Sequence, residues 1–285
     1  METASHTRLL KQIWGLKIGR VGLIIVITML ALSIIVPIVS PHEIDAVDLS
    51  KCYQPPSGRN WFGTDELGRD LFTRVFYAGR ISILVGVSGT LVSVLLGLLL
   101  GSISAYLEGP LDAFLLKLHE IQYCFPPIIL VLTVMAIIRG GTMDLILLMG
   151  LFSWPTTYRL TRNQVLAVKR EAFVEAARLM GNSTLKILFK HILPNIMPSI
   201  TVNATLLVAD LILLEAALSF LGVGVSPPTP SWGNMLNVAR SIYVLSRMWW
   251  LWFFPGLMIV AFVMGVTFLG EALDTIVNPH GKVES

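Results

Sequence analysis

Charge is scarce in this chain. Only 14% of its 285 residues are charged, where an ordinary soluble domain carries about a quarter, while 54% are hydrophobic and mean hydropathy is +0.74. No core at this length buries that much apolar surface in water, so a lipid bilayer must be the solvent for most of the chain. Cysteine is nearly absent. Cys52 lies in a polar segment and Cys124 in an apolar run, which argues against a disulfide framework. A G-x-x-x-x-G-K-[ST] phosphate loop is missing, and the only Gly-Lys pair is Gly281 with Lys282 in the tail, so this is not an ATPase. Histidines are few and scattered. His119 and Glu120 open an HExx string, but Tyr123 stands where a zinc protease places its second histidine, so no metal site is expected. Basic residues cluster between apolar runs without interleaved aromatics, which excludes nucleic acid as a partner.

What is present is a series of apolar runs near the length of about 20 residues that a spanning helix needs. Six are expected, near 21–40, 81–105, 113–138, 143–158, 196–222 and 248–270. Pro126 and Pro127 should kink the third, because each lacks an amide donor. The first follows Arg8, Lys11, Lys17 and Arg20; it is too long for a cleaved signal peptide and lacks a small-x-small site, so it should remain as an anchor. No inverted repeat of the secondary-transporter kind is visible.

Loop charge sets the expected orientation. The N-terminal tail is basic, and the segment after the fourth run carries Arg159, Arg162, Lys169, Arg170, Arg178, Lys186 and Lys190 against Glu171 and Glu175. Both belong on the cytoplasmic side, four crossings apart, and six crossings return the C-terminus there. The expected organisation is a cytoplasmic tail at 1–20, a first transmembrane helix with an external segment at 21–80, a core at 81–275 and a cytoplasmic tail at 276–285.

Residues 160–195 are too polar to span and too periodic to be disordered, and should form a helix, a turn and a helix. Leu166, Phe173, Val174, Ala177 and Met180 make one apolar stripe, and Gly181 fits the left-handed position that ends a helix. Ser183 or Thr184 can cap the next helix, and Pro194 is tolerated in the first turn of the fifth span. Such an elbow suits the grip of another protein, or a place flat on anionic lipid.

Inside the fifth span, Asn203, Asp210 and Glu215 are translocation-path candidates, because a carboxylate at membrane depth needs a partner or a wet path. At 100° per residue Asn203 and Asp210 share a face and Glu215 does not, so one of them should serve packing instead. Asp65, Arg69 and Asp70 are candidates for external docking or gating. Equally, Thr64 or Asp65 could cap a helix whose Leu67, Leu71 and Val75 lie on the membrane surface, with Arg69 pairing locally. Trp232 should sit in a stiff external loop, and Trp249, Trp250 and Trp252 in an interfacial belt.

The string EAARLMG, followed after nine residues by HILP, resembles the EAA loop of ABC importer permeases. Glu175, Ala176, Ala177, Gly181, Leu193 and Pro194 match; His191 replaces an apolar residue. WFGTDELGRDLFTRVFYAGRISILVG at 61–86 and LLEAALSFLGVGVSPPTPSWGNML at 213–236 narrow the resemblance to the C-type permease subunit of dipeptide, oligopeptide and nickel importers. The resemblance extends over about residues 20–279. Gly270 with Glu271 departs from a usual Gly-Asp, and HEI at 119–121 replaces a usual Asp.

The resemblance implies an all-α permease of six transmembrane helices in a bacterial cytoplasmic membrane. It implies pairing with a second, homologous permease, two cytoplasmic ATPases that bind ATP and Mg, and an extracytoplasmic substrate-binding protein. This chain would hold no cofactor and catalyse nothing, and the matched EAA residues would form the coupling helix. Dipeptides or oligopeptides are the expected cargo, nickel or a metal chelate the alternative, and an ATP-independent secondary transporter the remote one.

Overall fold

The computed structural model describes residues 10–138 and 140–278. Arg8, Gly281 and Lys282, which entered the sequence reading, lie outside the described residues. Those described are helical, with turns and a single isolated bridge between Thr64 and Asp70.

The long helices are α1 (Lys17–Val39), α2 (Leu71–Leu107), α5 (Thr142–Val168), α8 (Leu193–Phe220) and α11 (Trp250–Val277). Shorter helices are α3 (Gly109–Tyr123), α4 (Pro127–Ile138), α6 (Ala172–Leu179), α7 (Thr184–Ile187), α9 (Trp232–Leu236) and α10 (Ile242–Arg247). Among the described residues four segments are long and apolar enough to cross a membrane: α1, α2, the run Thr184–Phe220 that ends in α8, and α11. The α3–α4 pair, bent by 86° at the Pro126–Pro127 break, makes a fifth if counted as one span. This is a multi-pass membrane protein.

Element ends differ most from the sequence expectation in two places. Helix α2 begins at Leu71 rather than 81, because Asp70 caps it: its carboxylate accepts the Thr73 amide at 2.9 Å and the Thr73 hydroxyl at 2.8 Å. Neither Thr64 nor Asp65 is the cap. The fourth run, expected to end near 158, continues without a break to Val168, so the first part of the supposed separate loop helix is the end of α5.

Helix α2 is the central post. It packs most extensively on α5 and also against α8 and α1, while α11 closes the bundle against α1 and α8. Between α2 and α5 the backbones come close at Gly97 and Gly101. A β-carbon on Gly97 would lie 2.6 Å from Thr157 Cβ, and one on Gly101 2.8 Å from Thr161 Cβ. Small residues at helix contacts let van der Waals packing hold the pair together where lipid offers no hydrophobic drive. Met29, Ala78, Ile212, Trp232 and Phe262 form one buried cluster, and Val85, Val131, Leu145, Met149 and Leu211 a second.

Candidate functional site

Three places along the bundle carry polar or exposed chemistry. The first is the elbow. After Val168 the chain turns through Lys169–Glu171 into α6, whose Val174 and Ala177 are fully buried against Val165, Ile187, Ile192 and Ile196. Helix α6 ends where expected, with Gly181 at φ +76°. The Gly181 amide donates to the Arg178 carbonyl at 3.0 Å and the Asn182 amide to that of Ala177 at 3.3 Å, the paired bonds of a Schellman ending. Ser183 occupies the N-cap position of α7, but its side chain makes no capping bond, contrary to the sequence reading. The chain then widens into a π turn, Leu188–Ile192, which ends two residues before Pro194, a residue with no amide to offer the carbonyl four residues back.

The expected single stripe on this loop is split. Val174 and Ala177 face the bundle, whereas Phe173 and Met180 are exposed. They share the outer surface with Glu175, Ala176, Leu179 (83% exposed), Leu185 and Phe189. Leu193 and Pro194 stand at the start of α8, which carries the elbow straight into the membrane.

The root of the elbow is fastened by charge. Arg162 grips Asp112 with two bonds of 2.7 Å, Ser104 bonds both Asp112 and the Tyr158 hydroxyl, and Lys169 Nζ reaches the Tyr106 carbonyl at 2.8 Å and Glu108 at 2.9 Å. A bidentate guanidinium–carboxylate pair fixes direction as well as distance. These bonds tie the end of α5 to the α2–α3 turn. Sequence reasoning missed Asp112 because its partner lies 50 residues away.

The second place is the middle of α8. Asn203 donates to the Thr157 hydroxyl at 2.9 Å, and Asp210 is exposed in a cleft with Gln122, Pro126 and Thr156. Glu215 stands apart. It is fully buried and accepts bonds from the hydroxyls of Ser82 at 3.0 Å, Ser219 at 2.7 Å and Ser231 at 2.8 Å. That is a structural bolt between α2, α8 and the segment before α9, so Glu215 lines no path. Ser82 and Ser231 lie 133 and 16 residues from it, which is why only the fold shows their convergence.

The third place is the end of the bundle far from the elbow. Arg69 pairs with Asp65 at 2.7 Å, and Arg74 is clasped by Asp45 at 2.7 Å and Asp65 at 3.5 Å. Asp65, Glu66, Arg69 and Arg74 line a small cavity closed by Pro227 and Pro228. Asp70 is buried and spent on its cap and on Asn60, whose amide donates to it at 2.8 Å, so it is removed from the docking candidates. Leu71 and Val75 pack in a core with Trp250 and Leu251 instead of lying on a membrane surface. Trp232 is likewise buried, its indole N–H donating to the Val75 carbonyl at 2.9 Å, and Trp250 leaves the expected belt for that core.

His119 is buried against Tyr123 and Tyr158. Among the described residues no three acidic, cysteine or histidine side chains gather where they could hold a metal ion. Cys52 and Cys124 are both free.

Comparison with known proteins agrees with this architecture. Residues 94–282 match the family described as binding-protein-dependent transport system inner membrane component. A Brucella suis protein provisionally named a peptide permease is 40% identical over 262 residues, covering 92% of this chain and 87% of the relative. The dipeptide transport system permease DppC of Bacillus subtilis is 36% identical over 263 residues, covering 92% and 82%. The oligopeptide transport system permease OppC of the same organism is also 36% identical, covering 92% and 86%. Matched across about two thirds of its length by that family and over nearly all of it by such relatives, the chain belongs to the inner membrane components of binding-protein-dependent transport systems.

Proposed function

We propose that this chain is the C-type permease subunit of an ATP-binding-cassette importer that carries dipeptides or oligopeptides across the cytoplasmic membrane. The names of its relatives favour peptides over nickel or a metal chelate. In this reading the elbow faces the cytoplasm, α5 crosses the membrane despite Asp144, Arg159 and Arg162, and the α3–α4 pair crosses once, giving six crossings. The basic residues around the elbow support that orientation.

The observation that carries the coupling role is the two-faced elbow. One side, Val174 and Ala177, is packed into the bundle, and the other presents Phe173, Leu179, Met180, Leu185 and Phe189 around Glu175 and Ala176. Apolar side chains this exposed at the polar end of a membrane protein fit a groove on a partner. A pair of ATPases that seats this surface and changes spacing with ATP would push α8 through Leu193 and Pro194. ATP can bias the permease only by its differential affinity for two states, so the link must be stiff, and the Arg162–Asp112 and Lys169–Glu108 pairs supply that stiffness. ATP and Mg are bound by the ATPases, and an external binding protein and a second permease complete the assembly.

Affinity purification of this chain from its native membrane tests the assembly. Recovery of a second permease and two ATPases is expected, with the ATPases lost on Glu175→Lys. Recovery of this chain alone would contradict the proposal.

A further inference from the structure

We propose that the groove formed by the α3–α4 bend, α5 and α8 reads both ends of a short zwitterionic peptide, with Asp210 receiving the N-terminal ammonium and Arg159 the C-terminal carboxylate. This rests on the peptide reading above and deepens it.

Two cavities make up the groove. One, of about 500 Å³, is walled by Gln122, Tyr123, Phe152, Thr156 and Asp210. The other, of about 430 Å³, is walled by Thr156, Arg159, Leu160, Asn163 and Asn203. Thr156 belongs to both, and the Arg159 guanidinium lies 5.6 Å from the centre of the Tyr123 ring, so the two cavities adjoin.

Each cavity holds one charge, and the signs are opposite. Asp210 and Arg159 are exposed, and neither has an ion-pair partner among the described residues. Lone charges within a helical bundle at membrane depth are costly unless water or an opposite charge meets them. The buried carboxylates Glu215 and Asp112 are spent, Glu215 on three serines and Asp112 on Arg162. Asp210 and Arg159 are the ones left facing a space.

The spacing selects a size. Asn203 in the lower cavity and Asp210 in the upper are seven residues apart on α8, roughly 10 Å at 1.5 Å per residue. An extended peptide advances about 3.3–3.6 Å per residue, so about three residues reach from Asn203 to Asp210. Along the groove Thr156 and Asn163 offer hydrogen bonds to peptide groups, while Phe152, Leu207 and Leu211 present an apolar wall indifferent to side-chain identity. The arrangement reads termini and backbone, and is tolerant of sequence.

The test uses the complete importer, this chain with its second permease, ATPases and binding protein, in proteoliposomes. ATP-driven uptake is measured for a tripeptide and for its N-acetylated and C-amidated forms, in wild type, Asp210→Asn and Arg159→Gln. Selection by the binding protein is common to all three and cancels when each variant is divided by wild type. We expect Asp210→Asn to lower uptake of the free tripeptide about tenfold and that of the acetylated form less than twofold. Arg159→Gln should show the reciprocal pattern with the amide. Equal losses on free and blocked peptides would overturn the inference while leaving peptide import intact. A wild-type complex that moves no peptide would overturn both.

Discussion

The two carboxylates of α8 illustrate how similar residues in one helix come to do different work. Glu215 has its three hydroxyl donors in place, and truncation would leave Ser82, Ser219 and Ser231 without their acceptor in a dry interior. Leaving buried polar groups unpaired costs about 1–3 kcal/mol each. Glu215→Ala should therefore lower the thermal unfolding temperature in detergent markedly, whereas Asp210→Ala, exposed and unbonded, should shift it little. Equal shifts for the two would contradict the assignment. A residue-scale test of packing lies at Gly97, where any β-carbon meets Thr157. Gly97→Val should cost about 1–3 kcal/mol by overpacking and be read as loss of folded chain in a detergent melt. Asn203 and Asp210 on one face and Glu215 on another were legible from helical periodicity, but which carboxylate was spent was not. That depends on serines brought in from α2 and from the segment before α9.

At the scale of elements, the elbow was the most legible feature and also the most revised. Its turn at Gly181 follows from local sequence, because only glycine takes φ +76° without a steric penalty of about 1–2 kcal/mol. Its two faces did not follow, since the 3.6-residue period marks apolar positions without saying which of them the bundle covers. Gly181→Val should distort the elbow and separate ATP hydrolysis from uptake while the chain still inserts in the membrane; unchanged uptake per ATP would remove the elbow from the coupling role. Replacing exposed Phe173, Leu179 and Met180 together with serine should weaken retention of the ATPases without shifting the chain's own melting temperature. Retention at wild-type levels would mean that this surface is not the seat. The start of α2 was misplaced for a different reason. The apolar run begins near 81, but the helix is set by the Asp70 cap and by Leu71 and Val75 packing on Trp250, contacts between segments far apart in sequence.

For the whole molecule, hydropathy sufficed to place the chain in a membrane, and the doubled proline to locate the bend between α3 and α4. Hydropathy was weaker for α5, which is long and central in the packing but carries charges at both ends. One of those, Arg162, is neutralised by Asp112 in α3, a pairing invisible to any window along the sequence. The resulting molecule has a stiff cytoplasmic elbow in our reading, a charged groove through its middle and a cap at the far end built on Asp65, Arg69 and Arg74. On the proposed function, the parts joined in this order make a machine in which ATP hydrolysed by other subunits moves a peptide along this one. The most direct measurement is uptake of a labelled peptide into proteoliposomes holding this chain with its second permease, two ATPases and binding protein, followed alongside phosphate release. The account predicts uptake that requires both ATP hydrolysis and an intact elbow. Peptide uptake by this chain without the ATPases, or hydrolysis that drives a metal chelate and no peptide, would contradict it.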